Sequence, residues 1–158
     1  MKRFVIVLAS VLNLVLADAV VKELAAGCLK GSAAVPVIPG LFNLAYVENR
    51  GCAWGMFQGQ VWPLAVFAVV ALGFLVWKRK SVFGVGKTAA VSECLLYAGI
   101  VGNLIDRLFR GCVIDFLDFH WYAHHFPCFN LADTFICVAA GLMILMSFVS
   151  ARSKTGRP

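Results

Sequence analysis

Three aspartates and three histidines lie close together in a chain that is otherwise strongly apolar. The stretch VIDFLDFHWYAHHFPCFNLADTF, residues 113–135, carries Asp115, Asp118 and Asp133 among aromatic residues. Two carboxylates that are brought together cannot both ionise easily, so they share a proton, and one can act as base while the other acts as acid. Such a pair can activate water against an amide. A proton relay, a transporter site or a structural ion network would fit the same residues, so residue types alone leave these alternatives open.

The histidines of this stretch raise the possibility of a metal site. His120 and His124 are four residues apart, and Asp115, Asp118 and Cys128 are nearby. The sequence has neither an HExxH motif nor a CxxC pair, which are common zinc-binding patterns. Trp and Tyr beside the histidines are typical of a segment at a membrane surface. We therefore expect no metal ion and no other cofactor.

The start of the last apolar segment offers a simpler explanation for Asp133. Asn130 is a good helix N-cap, and an acid three residues later offsets the helix dipole. These roles would explain both residues without catalysis. They do not explain why a second carboxylate, Asp115, comes from the loop that leads into this helix.

Two other polar groups are expected on helices. Asp18 and Lys22 are four residues apart on one face, where they either form an ion pair or line a polar site. Asn103 and Asp106 also share a face, and we favour a structural role for Asp106 through pairing with a neighbouring arginine. Arg107 follows directly and could extend outward as an interfacial anchor.

Composition indicates a membrane protein. The 158 residues suggest a single domain. They are 61% hydrophobic and 14% charged, with a mean hydropathy of +0.87, whereas soluble proteins carry about 25% charged residues. The basic residues fall in short clusters beside apolar runs instead of forming one patch, so we expect no nucleic-acid binding.

Four apolar segments are each about long enough to cross a bilayer as a helix. The third is interrupted by Glu93, Asn103 and two glycines. We expect an all-α membrane protein, with one domain (1–158), four transmembrane helices and a small extended, β-like extracytoplasmic subdomain. The helices are predicted at 4–21, 61–77, 88–105 and 131–149, and the outer loops at 22–60 and 106–130.

The distribution of charge predicts that both termini are cytoplasmic. Acidic residues fall at or beyond the other ends of the helices, with Glu93 as the exception. Positive residues on short segments mark the cytoplasmic side of a membrane protein. Nine of the fourteen basic residues flank the predicted inner ends: Lys2, Arg3, Lys78, Arg79, Lys80, Lys87, Arg152, Lys154 and Arg157.

The N-terminal segment resembles a lipoprotein signal peptide that ends at Cys28, but we expect it to stay attached. The charged residues Asp18, Lys22 and Glu23 lie between the apolar run and the cysteine. Removal of the segment would also leave three crossings, with the C-terminus opposite the basic loop.

Five blocks of sequence, in order from the first helix to the fourth, resemble lipoprotein signal peptidase, the bacterial type II signal peptidase family of aspartic peptidases. DAVVK resembles the family's Asp-x-x-x-Lys, and NLAYVENRGCAWGMF resembles its Asn-x-Gly-x-Ala segment. GIVGNLIDRLFRGCVIDFLDFHW resembles its Gly-Asn-x-x-Asp-Arg and Val-x-Asp-Phe blocks, and FNLAD matches its Phe-Asn-x-Ala-Asp block. Three positions depart from the family pattern and are expected to alter the substrate cradle: Arg50, Cys52 and Trp54.

The resemblance implies that Asp115 and Asp133 are catalytic. It implies an endopeptidase that removes signal peptides from prolipoproteins by cleaving before the diacylglyceryl-modified cysteine, near the outer face of the bacterial inner membrane. Its partners would be these substrates and membrane lipid, and it would act as a monomer. The competing hypothesis is a non-enzymatic membrane subunit or transporter with a carboxylate relay. Substrate-binding or supporting roles carry over to Asp18, Lys22, Asn49, Gly51, Asn103, Asp106, Arg107 and Asn130.

Overall fold

The structure is a computed structural model that describes residues 2–155, except for the side chains at positions 2, 53, 150 and 153–155. Arg157 therefore lies outside the described residues, as do the side chains of Lys2 and Lys154. The chain is mostly helical, with one small antiparallel sheet. In chain order the elements are α1 (Lys2–Leu29), β1 (Val35–Ile38), β2 (Phe42–Asn49), a 3-10 turn (Ala53–Gly55), α2 (Val61–Trp77), α3 (Arg79–Phe83), α4 (Lys87–Phe109), β3 (Val113–Trp121), β4 (His124–His125) and α5 (Leu131–Thr155).

The apolar helices form where the sequence predicts them, but three of them are longer than expected. Only α2 has the predicted bounds. Helix α1 continues to Leu29 and α4 continues to Phe109, so the predicted loop starts at residues 22 and 106 are wrong. The charged residues that suggested helix ends pair with one another inside the protein, and the helices can therefore continue through them.

Three helices are long and apolar enough to cross a membrane, namely α1, α4 and α5. Helix α2 is also apolar but has 17 residues. The membrane character predicted from composition thus has a physical basis in three to four apolar helices.

Helix α4 lies at the centre and packs against α1, α2 and α5. Two glycines that interrupt its sequence allow this close packing. A Cβ at Gly99 would collide with the backbone of Ala132 on α5, and a Cβ at Gly102 would lie 2.7 Å from a carboxylate oxygen of Asp18 on α1. The glycines therefore bring the two helices that carry acidic residues onto α4.

Glu93, the acidic residue that did not fit the predicted charge distribution, has two cationic partners. It is fully buried on α4 and pairs with Arg3 of α1 and Arg79 of α3. This group ties together the ends of three helices that carry many of the basic residues.

The sheet has the strand order β1-β2-β3-β4, with every neighbouring pair antiparallel. It contains the extended segment predicted before α2, and it also includes β3, which runs through the opening acidic stretch. Asp115 of β3 pairs with Val47 of β2 in the register. Phe116 packs the other face of β3 against Ala25 and Leu29 of α1. Strand β3 thereby holds Asp115 beside the helices.

Candidate active site

Asp115 and Asp133 come from different elements and are joined by one asparagine. Asp115 is buried on β3, and Asp133 lies in the first turn of α5. Asn130 Nδ2 donates to Asp115 Oδ1 at 2.7 Å, and the backbone N–H of Asn130 donates to Asp133 Oδ2 at 3.3 Å. The backbone N–H of Asp133 returns a bond to Asn130 Oδ1 at 2.9 Å, so the predicted N-cap is present. The cap that starts α5 thus also binds the second carboxylate; these two acids are called the aspartate pair below.

The remaining donors to the aspartate pair are also neutral amides. Asn49 Nδ2 donates to Asp115 Oδ2 at 3.0 Å, and Asn103 Nδ2 donates to Asp133 Oδ1 at 2.7 Å. Among the described residues, no cation forms a salt bridge with either acid. The hydrogen bonds orient the carboxylates but supply no positive charge to offset two negative ones.

The environment of Asp115 favours its protonated form. Burial raises the pKa of Asp115 to about 7, and the negative charge of Asp133 acts in the same direction. Hydrogen bonds from Asn49 and Asn130 oppose this rise because they stabilise the carboxylate. A proton is therefore held at the aspartate pair near neutral pH, as general acid–base chemistry requires.

Asp18, Lys22 and Asp106 form a second group of buried charges, the lysine cluster. The ammonium nitrogen of Lys22 lies 2.8 Å from Asp18 Oδ2 and 3.0 Å from Asp106 Oδ2. Lys22 is fully buried and Asp18 is 1% exposed. The ion pair considered for Asp18 and Lys22 is present, as is the pairing expected for Asp106, which also binds Arg110.

The lysine cluster connects the helices to the aspartate pair. Asp18 accepts a bond from the backbone N–H of Ala132 at 3.0 Å, which fixes the start of α5 against α1. Lys22 Nζ donates to Asn103 Oδ1 at 3.1 Å, and the same asparagine donates to Asp133. The chain of contacts from Lys22 through Asn103 to Asp133 gives the cluster a supporting position beside the pair.

Arg107 points toward the site and does not extend outward as an interfacial anchor. Its guanidinium donates to the carbonyl oxygens of Asn103 at 3.3 Å and Gly51 at 3.2 Å. Gly51 is needed for close packing, because a Cβ there would lie 2.5 Å from the carbonyl oxygen of Met56. Its own N–H donates to Asn49 Oδ1 at 2.9 Å. Arg107 and Gly51 therefore position the end of β2, where Asn49 lies, and the loop that follows it.

A cavity of about 400 Å³ opens beside the aspartate pair. Its polar residues gather near the acids, while aromatic and aliphatic side chains form the rest of its lining. Of the three departures from the family pattern, Cys52 and Trp54 line the cavity, whereas Arg50 is exposed and pairs with Glu48. The sequence analysis missed several residues that line the cavity. They lie on the flanks of the FNLAD block, which was the available signal: Phe126, Pro127, Thr134, Ile136, Cys137 and Val138.

The third aspartate and the histidines lie apart from the aspartate pair in the hydrogen-bond network. Asp118 Oδ1 lies 2.7 Å from His125 Nδ1, and the rings of His120 and His125 stack at 4.8 Å. His124 is exposed. Within residues 2–155, the described side chains contain no group of three or more His, Cys, Asp or Glu arranged to hold a metal ion.

Comparison with known proteins shows extensive similarity. The model of the family described as Signal peptidase (SPase) II matches residues 10–149. A lipoprotein signal peptidase of Syntrophotalea carbinolica is 38% identical over 146 residues, which cover 90% of this chain and 91% of that protein. A lipoprotein signal peptidase of Shewanella loihica is 46% identical over 120 residues, or 73% of this chain and 70% of that protein.

Solved structures show the same similarity in three dimensions. A bacterial membrane enzyme determined by the in meso method at 2.3 Å resolution superposes with a TM-score of 0.85 and 28% identity, covering 96% of this chain and 93% of that one. A second, at 1.9 Å resolution, has a TM-score of 0.77 and 30% identity, covering 89% and 90%.

Proposed function

This chain belongs to the signal peptidase II family of aspartic peptidases, and we propose that Asp115 and Asp133 are its two catalytic residues. It is an endopeptidase that removes signal peptides from prolipoproteins by cleaving before the diacylglyceryl-modified cysteine. The observation that supports the assignment of the catalytic residues is that two carboxylates, buried Asp115 and half-buried Asp133, line one cavity and are joined by Asn130. Among the described residues, neither forms a salt bridge with a cation.

The proposed mechanism uses one shared proton and one water. The raised pKa of Asp115 makes it the carboxyl that holds the proton, and Asp133 is the base that deprotonates the water as it attacks the scissile carbonyl. Asp115 protonates the carbonyl oxygen, and the proton taken up by Asp133 later reaches the leaving amine. The water oxygen bonds to the carbonyl carbon to give a tetrahedral diol, and no covalent enzyme intermediate forms. As the C–N bond breaks, the C=O bond forms again and one hydroxyl proton of the diol returns to Asp115.

The remaining residues would bind substrate or support the aspartate pair. Asn49, Asn103 and Asn130 orient the two carboxylates. Arg107 and Gly51 position the loop that follows Asn49 at the end of β2. The apolar part of the cavity suits the hydrophobic residues and lipid chains beside the scissile bond. The lysine cluster would support the pair indirectly. Asp18 binds the backbone at the start of α5, and Lys22 binds Asn103.

For the whole chain we propose a single membrane domain, residues 1–158, that acts as a monomer in the bacterial inner membrane. Helices α1, α2, α4 and α5 would each cross the bilayer, since 17 residues are at the lower limit for a spanning helix. In this proposal the basic residues mark the cytoplasmic ends, both termini are inside, and the aspartate pair lies near the outer face. The substrate's lipid chains could then stay in the bilayer while water reaches the bond.

Reporter fusions test this topology. A reporter active only in the cytoplasm should give signal when fused after Pro158 and none when inserted between Gly31 and Ser32. Signal from the insertion, or silence from the terminal fusion, would overturn the proposed orientation.

A cleavage assay tests the catalytic assignment. Purified wild-type protein in detergent should cleave a lipid-modified prolipoprotein, and a strong chelator should not inhibit it. Asp115→Asn and Asp133→Asn are nearly isosteric and should yield folded protein without product. Asp118→Asn is the matched control, because it removes a carboxylate from the same strand as Asp115 and should keep most activity. Cleavage by Asp115→Asn or Asp133→Asn would contradict the assignment. Activity that a chelator abolishes and zinc restores would contradict it as well.

A further inference from the structure

Asp118, the third aspartate of the stretch 113–135, links three neighbouring strands of the sheet. It lies three residues after Asp115 on β3 and is 8% exposed. Asn43 of β2 donates to its Oδ2 at 3.0 Å, and Nδ1 of His125 on β4 lies 2.7 Å from its Oδ1. Because each oxygen has its own partner, one carboxylate ties both adjacent strands to β3.

His125 is also held from its other side. Its ring stacks on that of His120 at 4.8 Å with an interplanar angle of 15°. Nδ1 of His120 lies 3.0 Å from the carbonyl oxygen of Tyr122, the residue with φ 51° in the turn between β3 and β4. Asp118 and His120 together therefore fix the position of His125 and of this turn.

Asp118 differs from Asp115 in its electrostatic environment. Burial alone would raise the pKa of Asp118, but hydrogen bonds from His125 and Asn43 outweigh it and hold the pKa below its usual range. Asp118 is therefore an ionised acceptor near neutral pH, which suits a structural bond and not the storage of a catalytic proton.

The chain that follows His125 forms one side of the cavity, here called the cavity wall, residues 126–129. The backbone N–H of Phe126 donates to the carbonyl oxygen of Phe119 at 2.8 Å. The backbone N–H of Phe129 donates to the carbonyl oxygen of Leu117 at 3.2 Å. The ring of Phe126 meets Trp54, from the loop after β2, edge to face at 5.5 Å. A shift of His125 would therefore move the wall relative to Trp54 and change the width of the cavity.

We propose that Asp118 and His125 form a clasp that fixes the cavity wall and thereby sets how tightly the cavity holds substrate beside the aspartate pair. The proposal rests on the proposed function for what enters the cavity. Asp118 acts here as a positioning residue, since it contacts His125 and Asn43 and not the aspartate pair.

Kinetics separate this role from catalysis. Asp118→Ala and His125→Ala should each raise KM roughly tenfold, with kcat little changed, because loss of this part-buried hydrogen bond loosens the wall without contacting the acids. The double variant should be little worse than either single one, because both remove the same bond. Asp118→Asn should restore near wild-type KM, since its oxygen can accept from His125 and its amide can donate to Asn43 once that side chain turns over.

The matched control is Lys30→Ala, which removes an exposed pair with Glu48 elsewhere on the sheet and should leave KM unchanged. Loss of kcat in Asp118→Asn would show that Asp118 is catalytic and would overturn the proposal. An unchanged KM in both alanine variants would also overturn it.

Hydrogen exchange supplies a readout that does not depend on cleavage. The amides of residues 122–130 should exchange faster in Asp118→Ala and His125→Ala than in wild type, and at the wild-type rate in Lys30→Ala. Unchanged exchange in the alanine variants would refute the clasp while the assignment of the aspartate pair stood. Cleavage by Asp133→Asn would refute that assignment while the exchange result still tested the clasp.

Discussion

The protein holds two groups of carboxylates side by side, and the groups differ in what surrounds them. In the lysine cluster, Asp18 and Asp106 flank the ammonium group of Lys22 within 3.0 Å. In the aspartate pair, Asp115 and Asp133 receive hydrogen bonds from asparagine side chains and backbone N–H groups. In the lysine cluster a cation lies between the acids and offsets their charge. The amides around the aspartate pair orient its carboxylates without neutralising them, so we expect a shared proton in the second group.

The two groups are also connected. Asn103 accepts a bond from Lys22 and donates one to Asp133, and Asp18 holds the backbone at Ala132, one residue before Asp133. The lysine cluster therefore contacts both the start of α5 and the asparagine that binds Asp133, which is the basis for its proposed supporting role.

Neutralising one acid in each group should give the largest difference in catalytic activity between the lysine cluster and the aspartate pair. Asp115→Asn and Asp133→Asn should each reduce kcat by at least about 10²–10⁴-fold, the usual contribution of a general acid or base. Combining them should add little, because the two acids act as one unit. Asp18→Asn should cost far less activity, since its oxygen can still accept from Ala132. Single-turnover cleavage measures the activity of all four variants. Equal losses of activity for Asp18→Asn and Asp133→Asn in folded protein would contradict the division into a structural lysine cluster and a catalytic aspartate pair.

Removing the cation should affect stability more than chemistry. Lys22→Met leaves two buried carboxylates without their partner, and breaking a buried ion pair in this way costs about 3–5 kcal/mol. Thermal unfolding in detergent should show a marked loss of Tm. Adding Asp18→Asn and Asp106→Asn to Lys22→Met should recover part of it, because the uncompensated charges are then gone. If this triple variant is less stable than Lys22→Met, charge compensation is not the role of Lys22.

A smaller effect should appear in the pH dependence of cleavage. The pKa of Asp115 is raised to about 7, so the proton at the pair is lost, and kcat/KM falls, as pH rises through about 7. Asn49 stabilises the ionised form of Asp115, so Asn49→Ala should move this fall to higher pH. Asn43 lies on the same strand but is bonded to Asp118, so Asn43→Ala should leave the pH at which kcat/KM falls unchanged. A fall that moves to lower pH in Asn49→Ala would contradict the proposed protonation state.

Local pattern was enough to predict much of the architecture. Apolar runs located the helices, the asparagine at position 130 predicted the cap of α5, and the spacing of Asp18 and Lys22 predicted a shared helix face. The ends of α1 and α4 could not be predicted in this way. Charged residues there resembled helix ends, because the contact between Lys22 of α1 and Asp106 of α4 that lets both helices continue joins residues far apart in sequence.

The site was only partly accessible from the sequence for the same reason. Residue types favoured a carboxylate pair but left a relay or ion network open, and the family resemblance, not the physics, selected Asp115 and Asp133. The direction of Arg107 depends on the carbonyl oxygen of Gly51, 56 residues away, which no local pattern contains. The cavity wall depends likewise on the hydrogen bond between His125 and Asp118 across two strands.

The infrared absorption of protonated carboxyl groups tests the central claim, that the aspartate pair holds a proton, most directly. In wild-type protein a carboxyl C=O band should be present at pH 5.5 and disappear with a midpoint of about pH 7, in line with the raised pKa of Asp115. The titrating band should be absent in Asp115→Asn and retained in Asp18→Asn. A wild-type spectrum without a band that titrates near pH 7, or such a band that persists in Asp115→Asn, would contradict the account.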